Sequence, residues 1–214
     1  MKPLEMKSHN TQGKLITFCG LDGCGKSSMI QLLTKDLQKS GYDVLITKQP
    51  TNMMRQTEIF RNYMDSEDHS HFEYRALSLM AAADRLQHVN HVILPALKEG
   101  KVVICDRYFY SCLANLRARG YEKDMWIYEI AQTIPTPDFA FFLDVPVGTA
   151  VSRVRKRPEE KNRYIDIALQ YRLRQEYQNI CQENNGFLIS SDGDAMQTYE
   201  NILNDIAKQE DILQ

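Results

Sequence analysis

Gly20-Leu21-Asp22-Gly23-Cys24-Gly25-Lys26-Ser27 decides the fold, because it meets the spacing G-x-x-x-x-G-K-[ST] between an apolar run and a helical pattern. Leu15-Ile16-Thr17-Phe18-Cys19 leads in as a strand, and Met29, Ile30, Leu32, Leu33 and Leu37 follow at helical spacing. The glycines let the backbone curl until several N–H groups point inward at a phosphate, and the first helical turn adds its positive end. Lys26 then reaches the β- and γ-phosphates and the Ser27 hydroxyl is placed for Mg²⁺. Gly20, Asp22, Gly23, Cys24, Gly25 and Ser28 complete a cradle for a nucleoside triphosphate.

Outward from this loop, strands alternate with helices, the pattern of a parallel sheet covered on both faces. Gly41 ends the first helix, and Tyr42-Asp43-Val44-Leu45-Ile46-Thr47 reads as the second strand. A long helix is predicted from about Phe72 to Lys98, with Leu79, Ala82, Leu86, Val89, Ile93 and Leu97 at three-to-four spacing. Strands three, four and five are read at Val102–Cys105, Asp138–Asp144 and Gly186–Ser190, and a last helix carries Ala195, Tyr199, Ile202, Leu203 and Ile206. The expectation is an α/β fold with a five-stranded parallel sheet, as one domain over residues 14–214 after a flexible extension at 1–13.

The chain has 214 residues, 43% hydrophobic and 25% charged, enough for one full core. A net charge of −2 gives no basic footprint for a duplex or a membrane surface, so neither nucleic acid nor membrane is expected as a partner. The five cysteines, Cys19, Cys24, Cys105, Cys112 and Cys181, show no C-x-x-C spacing and read as reduced, buried thiols. The polar start lacks an apolar signal segment and no run approaches membrane-spanning length, so a cytoplasmic location is expected. His88 and His91 stand one turn apart without a carboxylate companion and read as exposed or hydrogen-bonded helix residues. Tyr164, Tyr171 and Tyr177 read as a packed helix face.

Nucleotide chemistry in such folds gathers at the carboxyl ends of the strands. Strand three ends in Asp106-Arg107, a carboxylate for Mg²⁺ beside a guanidinium for a second phosphate, or else a structural ion pair. Strand two ends in Lys48-Gln49-Pro50-Thr51, an ammonium for an acceptor phosphate or else a solvent lysine, which would look identical in sequence. After strand four come Arg153, Arg155, Lys156, Arg157, Lys161 and Arg163 within eleven residues, either a solvated helix face or an anion-binding patch.

Together these residues resemble the nucleoside monophosphate kinases, and within them the thymidylate kinases, over about Lys14 to Lys208. Four motifs carry the resemblance: the phosphate loop through Ser28, Ala82-Ala83-Asp84-Arg85-Leu86-Gln87-His88, Asp106-Arg107-Tyr108 with Ser111, and the basic segment ending Asn162-Arg163-Tyr164. The resemblance implies ATP as donor with Mg²⁺, a nucleoside monophosphate such as dTMP as acceptor, a homodimer, and a mobile lid over about 153–163. It also implies that Asp22 contacts the sugar 3′-hydroxyl, Arg107 the acceptor phosphate and Arg85 the base, with Lys26 and lid arginines such as Arg153 and Arg157 on the phosphoryl in flight. Lys48, Pro50, Ala81, Ser111 and Asn115 fall at the family's acceptor-binding positions, and Ser27 and Asp106 at the metal.

Three departures cluster on the acceptor. Lys48-Gln49-Pro50 stands where the family carries Arg-Glu-Pro, exchanging a bidentate fork for a point charge and losing a carboxylate. Ala81 stands where the family stacks an aromatic on thymine, one turn before Arg85. Asn115 and Leu116 follow Ser111 where the family uses an amide or hydroxyl. Altered base recognition is therefore expected, with another nucleotide-like acceptor as an alternative. A phosphate acceptor needs no general base, whereas a deoxynucleoside kinase would want a carboxylate where Gln49 stands. A P-loop switch or regulatory ATPase is a further alternative, disfavoured because no Asn-Lys-x-Asp base-reading run occurs.

Overall fold

The computed structural model describes residues 2–209. β1 (Lys14–Gly20) runs through the centre of the molecule and its last six residues are all buried, as its unbroken apolar pattern requires of a strand covered on both faces. α1 (Lys26–Lys39) follows with Met29, Ile30, Leu33 and Leu37 against the sheet. Next come β2 (Val44–Lys48) and two short helices, α2 (Asn52–Arg55) and α3 (Glu58–Asp65), each capped by a threonine side chain, Thr51 and Thr57. α4 (Tyr74–His88) leads through a π-helical turn at Val89–Ile93 into α5 (Leu94–Lys98). The helix predicted as continuous from Phe72 thus starts at Tyr74 and changes hydrogen-bond register midway. Pro95 lies just beyond the turn and has no N–H to give the preceding one, which is a sufficient cause for the widened register.

β3 (Val102–Asp106), α6 (Phe109–Arg117), α7 (Trp126–Ala131), β4 (Phe139–Asp144), α8 (Val147–Arg155), α9 (Ile167–Glu183), β5 (Phe187–Ser190) and α10 (Ala195–Ala207) complete the order. The five strands form one all-parallel sheet in the order β2-β3-β1-β4-β5. The chain leaves β1 toward β2 and β3 on one side and toward β4 and β5 on the other. The carboxyl end of β1 is therefore the point where connections diverge, and a crevice opens there. Phe18, Phe139, Phe141 and Phe142 fill the centre of the core.

At the amino end the largely exposed residues 2–13 touch the body of the molecule at several points: Lys7 forms a parallel bridge with Pro135, Leu4 is 6% exposed, and His9 sits 3.0 Å from Asp138. The contacts combine apolar packing of Leu4 and Met6 against the core with backbone pairing, Lys7 N–H donating to Ile134 and its carbonyl accepting from Thr136. Met1 and residues 210–214, the ends of the expected extension and domain, lie outside the described residues. No helix among the described residues is long and apolar enough to cross a membrane.

Candidate active site

The phosphate loop joins β1 to α1 as the motif predicts, and its glycines have a steric reason. Gly20 has φ +136°, and a Cβ there would meet the Leu143 carbonyl oxygen at 2.5 Å. Gly23 has φ +83°, and a Cβ would meet the Ala150 carbonyl oxygen at 2.3 Å. Gly25 is the N-cap of α1 and supplies no side-chain cap, so the first N–H groups of the helix stay open to an anion. Lys26 is buried and donates to the carbonyls of Leu21 (2.7 Å) and Gly20 (3.3 Å), while Ser27 and Ser28 are exposed on the first turn. Cys24 is buried beneath the loop, as are the other four thiols, and all five are free.

Beside the loop lies a cavity of about 310 Å³ between α4 and α6, closed by residues from α3 and by the stretch after α8. Tyr74, Leu77, Ser78, Ala81 and Arg85 recur at helical spacing along one face of α4, and all line it. Ser111, Cys112 and Asn115 of α6 face them, with Arg119 just beyond. Seven Lys and Arg residues line the cavity against three Asp and Glu, so it has an excess of positive charge.

Arg107 stands at its centre. The residue follows β3 with φ +69°, a left-handed conformation uncommon outside glycine, held by its N–H donating to the Phe18 carbonyl at 2.8 Å. Its guanidinium donates to Asp22 Oδ1 (2.6 Å), the Tyr177 hydroxyl (2.9 Å) and the Gly20 carbonyl (3.1 Å). Arg163 donates to the other Asp22 oxygen at 2.9 Å, so one carboxylate of the phosphate loop ties Arg107 to the segment after α8. Surrounding protein works to raise the Asp22 carboxyl, but Arg107, Lys26 and Arg163 outweigh it and hold the group well below the usual carboxylate range. Arg55 shows the opposite effect: burial and then Arg107 push it below its ordinary value, the mark of a cation short of anions. Lys48 lies 3.1 Å from Asp106 Oδ2, and Asp106 Oδ1 is buried without a partner.

The eight expected acceptor residues meet here: Asp22, Lys48, Pro50, Ala81, Arg85, Arg107, Ser111 and Asn115 all line the cavity, as does Arg157 of the expected lid. Arg85 is 4% exposed, gives one bond to the Ala81 carbonyl at 2.9 Å, and leaves its Nε buried without a partner. The Asn115 amide is engaged elsewhere, donating to the Ser111 carbonyl and accepting from Arg119 at 2.7 Å. Arg153 does not join them; its guanidinium donates to the Ser191 carbonyl at 2.9 Å, beyond the end of β5. Gln49 is fully buried and turned away from the cavity toward His88.

Several lining residues gave no sequence signal of their own. Arg55 lies five residues beyond Pro50 and bonds its carbonyl at 2.8 Å. Tyr63 stacks on His69 with centroids 4.2 Å apart and bonds Arg119 through its hydroxyl. Tyr63, with Phe60, Phe72 and Tyr74, forms an aromatic wall in the same apolar cluster as Ala81. Of the three tyrosines read as one helix face, only Tyr177 is buried; Tyr171 is 59% exposed and Tyr164 precedes α9 and lines the cavity.

The sequence model of the family described as "Thymidylate kinase" matches residues 18–206. A "Probable thymidylate kinase" of Pyrococcus horikoshii is 39% identical over 173 residues, covering 80% of this chain and 84% of that protein. A "Probable thymidylate kinase" of Thermococcus onnurineus is 36% identical over 193 residues, 87% of this chain and 92% of that one. A "Thymidylate kinase" of Desulfotalea psychrophila is 40% identical over 157 residues, 72% and 74% of the two chains.

Proposed function

The chain belongs to the thymidylate kinase family, an ATP-dependent phosphotransferase acting on dTMP, and from that premise we infer that the phosphate loop holds ATP while the α4–α6 cavity holds the acceptor. The carrying observation is the strained Arg107, held beside the loop in a cavity with excess cations. A strained backbone and a cation surplus cost stability, and an incoming phosphate dianion offsets both.

In this reading Arg107, Arg55 and Lys48 grip the acceptor phosphate. Arg85 offers its unpartnered Nε to the base, and Asp22 meets the sugar once the acceptor draws Arg107 away. The loop amides and Lys26 hold the donor. The acceptor oxygen is already ionised at neutral pH, so the protein needs to align it with the γ-phosphorus and neutralise the equatorial oxygens. Arg157 and Arg163 are the lid residues placed to do so, and lid closure keeps water out. Arg153 at the Ser191 loop belongs to the donor side.

A Mg²⁺ bound with the triphosphate takes most of its ligands from phosphates and water. The exposed Ser27 hydroxyl and the unpartnered Asp106 Oδ1 fit the two remaining roles, and the ion would neutralise charge on the triphosphate. An unphosphorylated nucleoside would need a free carboxylate to take its proton. Gln49 faces away, and Asp22 is locked between two arginines.

ADP release with Mg-ATP and a panel of dTMP, other nucleoside monophosphates and nucleosides tests this reading. Turnover with dTMP and background rates with thymidine are expected. Equal turnover with unphosphorylated nucleosides, or ATP consumption without any acceptor, overturns it.

A further inference from the structure

We propose that His88 is a positioning residue for the acceptor-phosphate cation, holding the two residues that flank Lys48 and thereby fixing where Lys48 points. The inference rests on the reading of the cavity as a monophosphate site. Side chains alternate along β2, so Thr47 and Gln49 share one side and Lys48 takes the other. His88 meets both neighbours: Nε2 lies 2.7 Å from the Thr47 hydroxyl and Nδ1 lies 3.0 Å from the Gln49 amide nitrogen. On the opposite side Lys48 reaches Asp106 at 3.1 Å and lines the cavity. The Gln49 N–H donates to the Asp106 carbonyl at 3.0 Å, so the chain stays registered on β3 one residue past the strand.

The same turn of α4 grips the segment again farther along. Asp84 accepts from the Thr51 N–H at 2.7 Å and from its hydroxyl, and between the two grips the Pro50 carbonyl accepts from Arg55. Residues 47–51 are thus clamped at both ends by the helical turn that carries Arg85. The phosphate cations Lys48 and Arg55 and the candidate base-reading Arg85 form one mechanical unit. His88 is 9% exposed, and burial pushes its imidazole below the ordinary value, with Asp84 opposing. A neutral ring with one N–H and one lone pair suits this pair: Nδ1 accepts from the Gln49 amide N–H and the Nε2 N–H donates to the Thr47 hydroxyl. Gln49 is the partner this needs, since a carboxylate there would favour a charged ring beside two working cations.

The test is a double-mutant cycle on the full chain, reading KM for dTMP, kcat and KM for ATP in wild type, His88→Ala, Lys48→Met and the double variant. A residue acting through Lys48 raises KM for dTMP about tenfold when removed and leaves kcat and KM for ATP within about twofold. The double variant is then no worse than Lys48→Met alone. Losses that multiply in the double variant, or a fall in kcat with a rise in KM for ATP, mean that His88 serves only the fold and overturn the proposal. If His88→Ala fails to fold, Thr47→Val keeps the ring and removes one contact. A KM for dTMP raised about threefold at an unchanged melting midpoint supports the proposal, and an unchanged KM sinks it. A wild-type enzyme inactive on dTMP overturns the acceptor reading itself, an outcome separate from an additive cycle in an active enzyme.

Discussion

The phosphate loop and the α4–α6 cavity adjoin each other at Gly20 and Asp22, yet they are built by different physics. The loop makes its site from backbone: open N–H groups, glycines that no Cβ could replace, and one buried lysine, all within nine consecutive residues. The cavity makes its site from side chains brought together from α2, α3, α4, α6, α9 and the basic stretch before α9. A backbone site tolerates little change in sequence, whereas a side-chain site can exchange one residue at a time. Each of the three departures from the family pattern includes a cavity-lining residue, Lys48, Ala81 and Asn115, and none falls in the phosphate loop.

Substitutions can test that contrast, beginning with the largest effect. Lys26→Ala on the donor side and Arg107→Ala on the acceptor side should each lower kcat/KM by about a thousandfold or more, since each removes charge held against a phosphate. Arg107→Lys should recover little, because a point charge cannot reproduce the fork that spans Asp22, Tyr177 and Gly20. Next in size, Ala81→Phe adds a ring to the face of α4 beside Arg85. It should improve kcat/KM for dTMP by about tenfold, the lower end of what base stacking contributes. A loss instead would show that the wall of Tyr63, Phe60 and Tyr74 already fills the space.

Legibility follows the same division. Periodicity placed all five strands within two residues, because β1, β3 and β4 are buried on both faces and read as apolar runs. The loop, Arg107 and Arg85 could be named because local motifs carry them. Arg55, Tyr63 and Arg119 could not, since each reaches the cavity through tertiary packing with no motif around it. Gln49 shows the limit most clearly: its position suggested the acceptor, but strand alternation turns it to His88 instead. The contacts of Leu4, Met6 and Lys7 with the body of the molecule were hidden for a similar reason, since two scattered apolar residues and a backbone bridge make no periodic pattern.

A smaller effect is expected from pH. Asp22 is held low in the folded state, so its ion pairs stabilise fully above the ordinary carboxylate value of about 4 and fade as pH falls below it. The melting midpoint should drop in that range, and Asp22→Asn should flatten the drop while raising KM for dTMP. Smallest is Asp194→Ala, which removes the cap accepting from Met196 and Gln197 N–H at the start of α10. It should cost about 1 kcal/mol in denaturant unfolding and leave the KM for dTMP unchanged, because Asp194 does not line the acceptor cavity.

The central claim is that two phosphorylated ligands are held at once, one by the loop and one by the cavity. Its most direct measurement is the affinity of a bisubstrate mimic, adenosine and thymidine joined through a polyphosphate chain, titrated against wild type, Lys26→Ala and Arg107→Ala. The account predicts that the mimic binds wild type more tightly than ATP or dTMP alone, and that either substitution removes the advantage. Binding no tighter than ATP and unchanged by Arg107→Ala would contradict it.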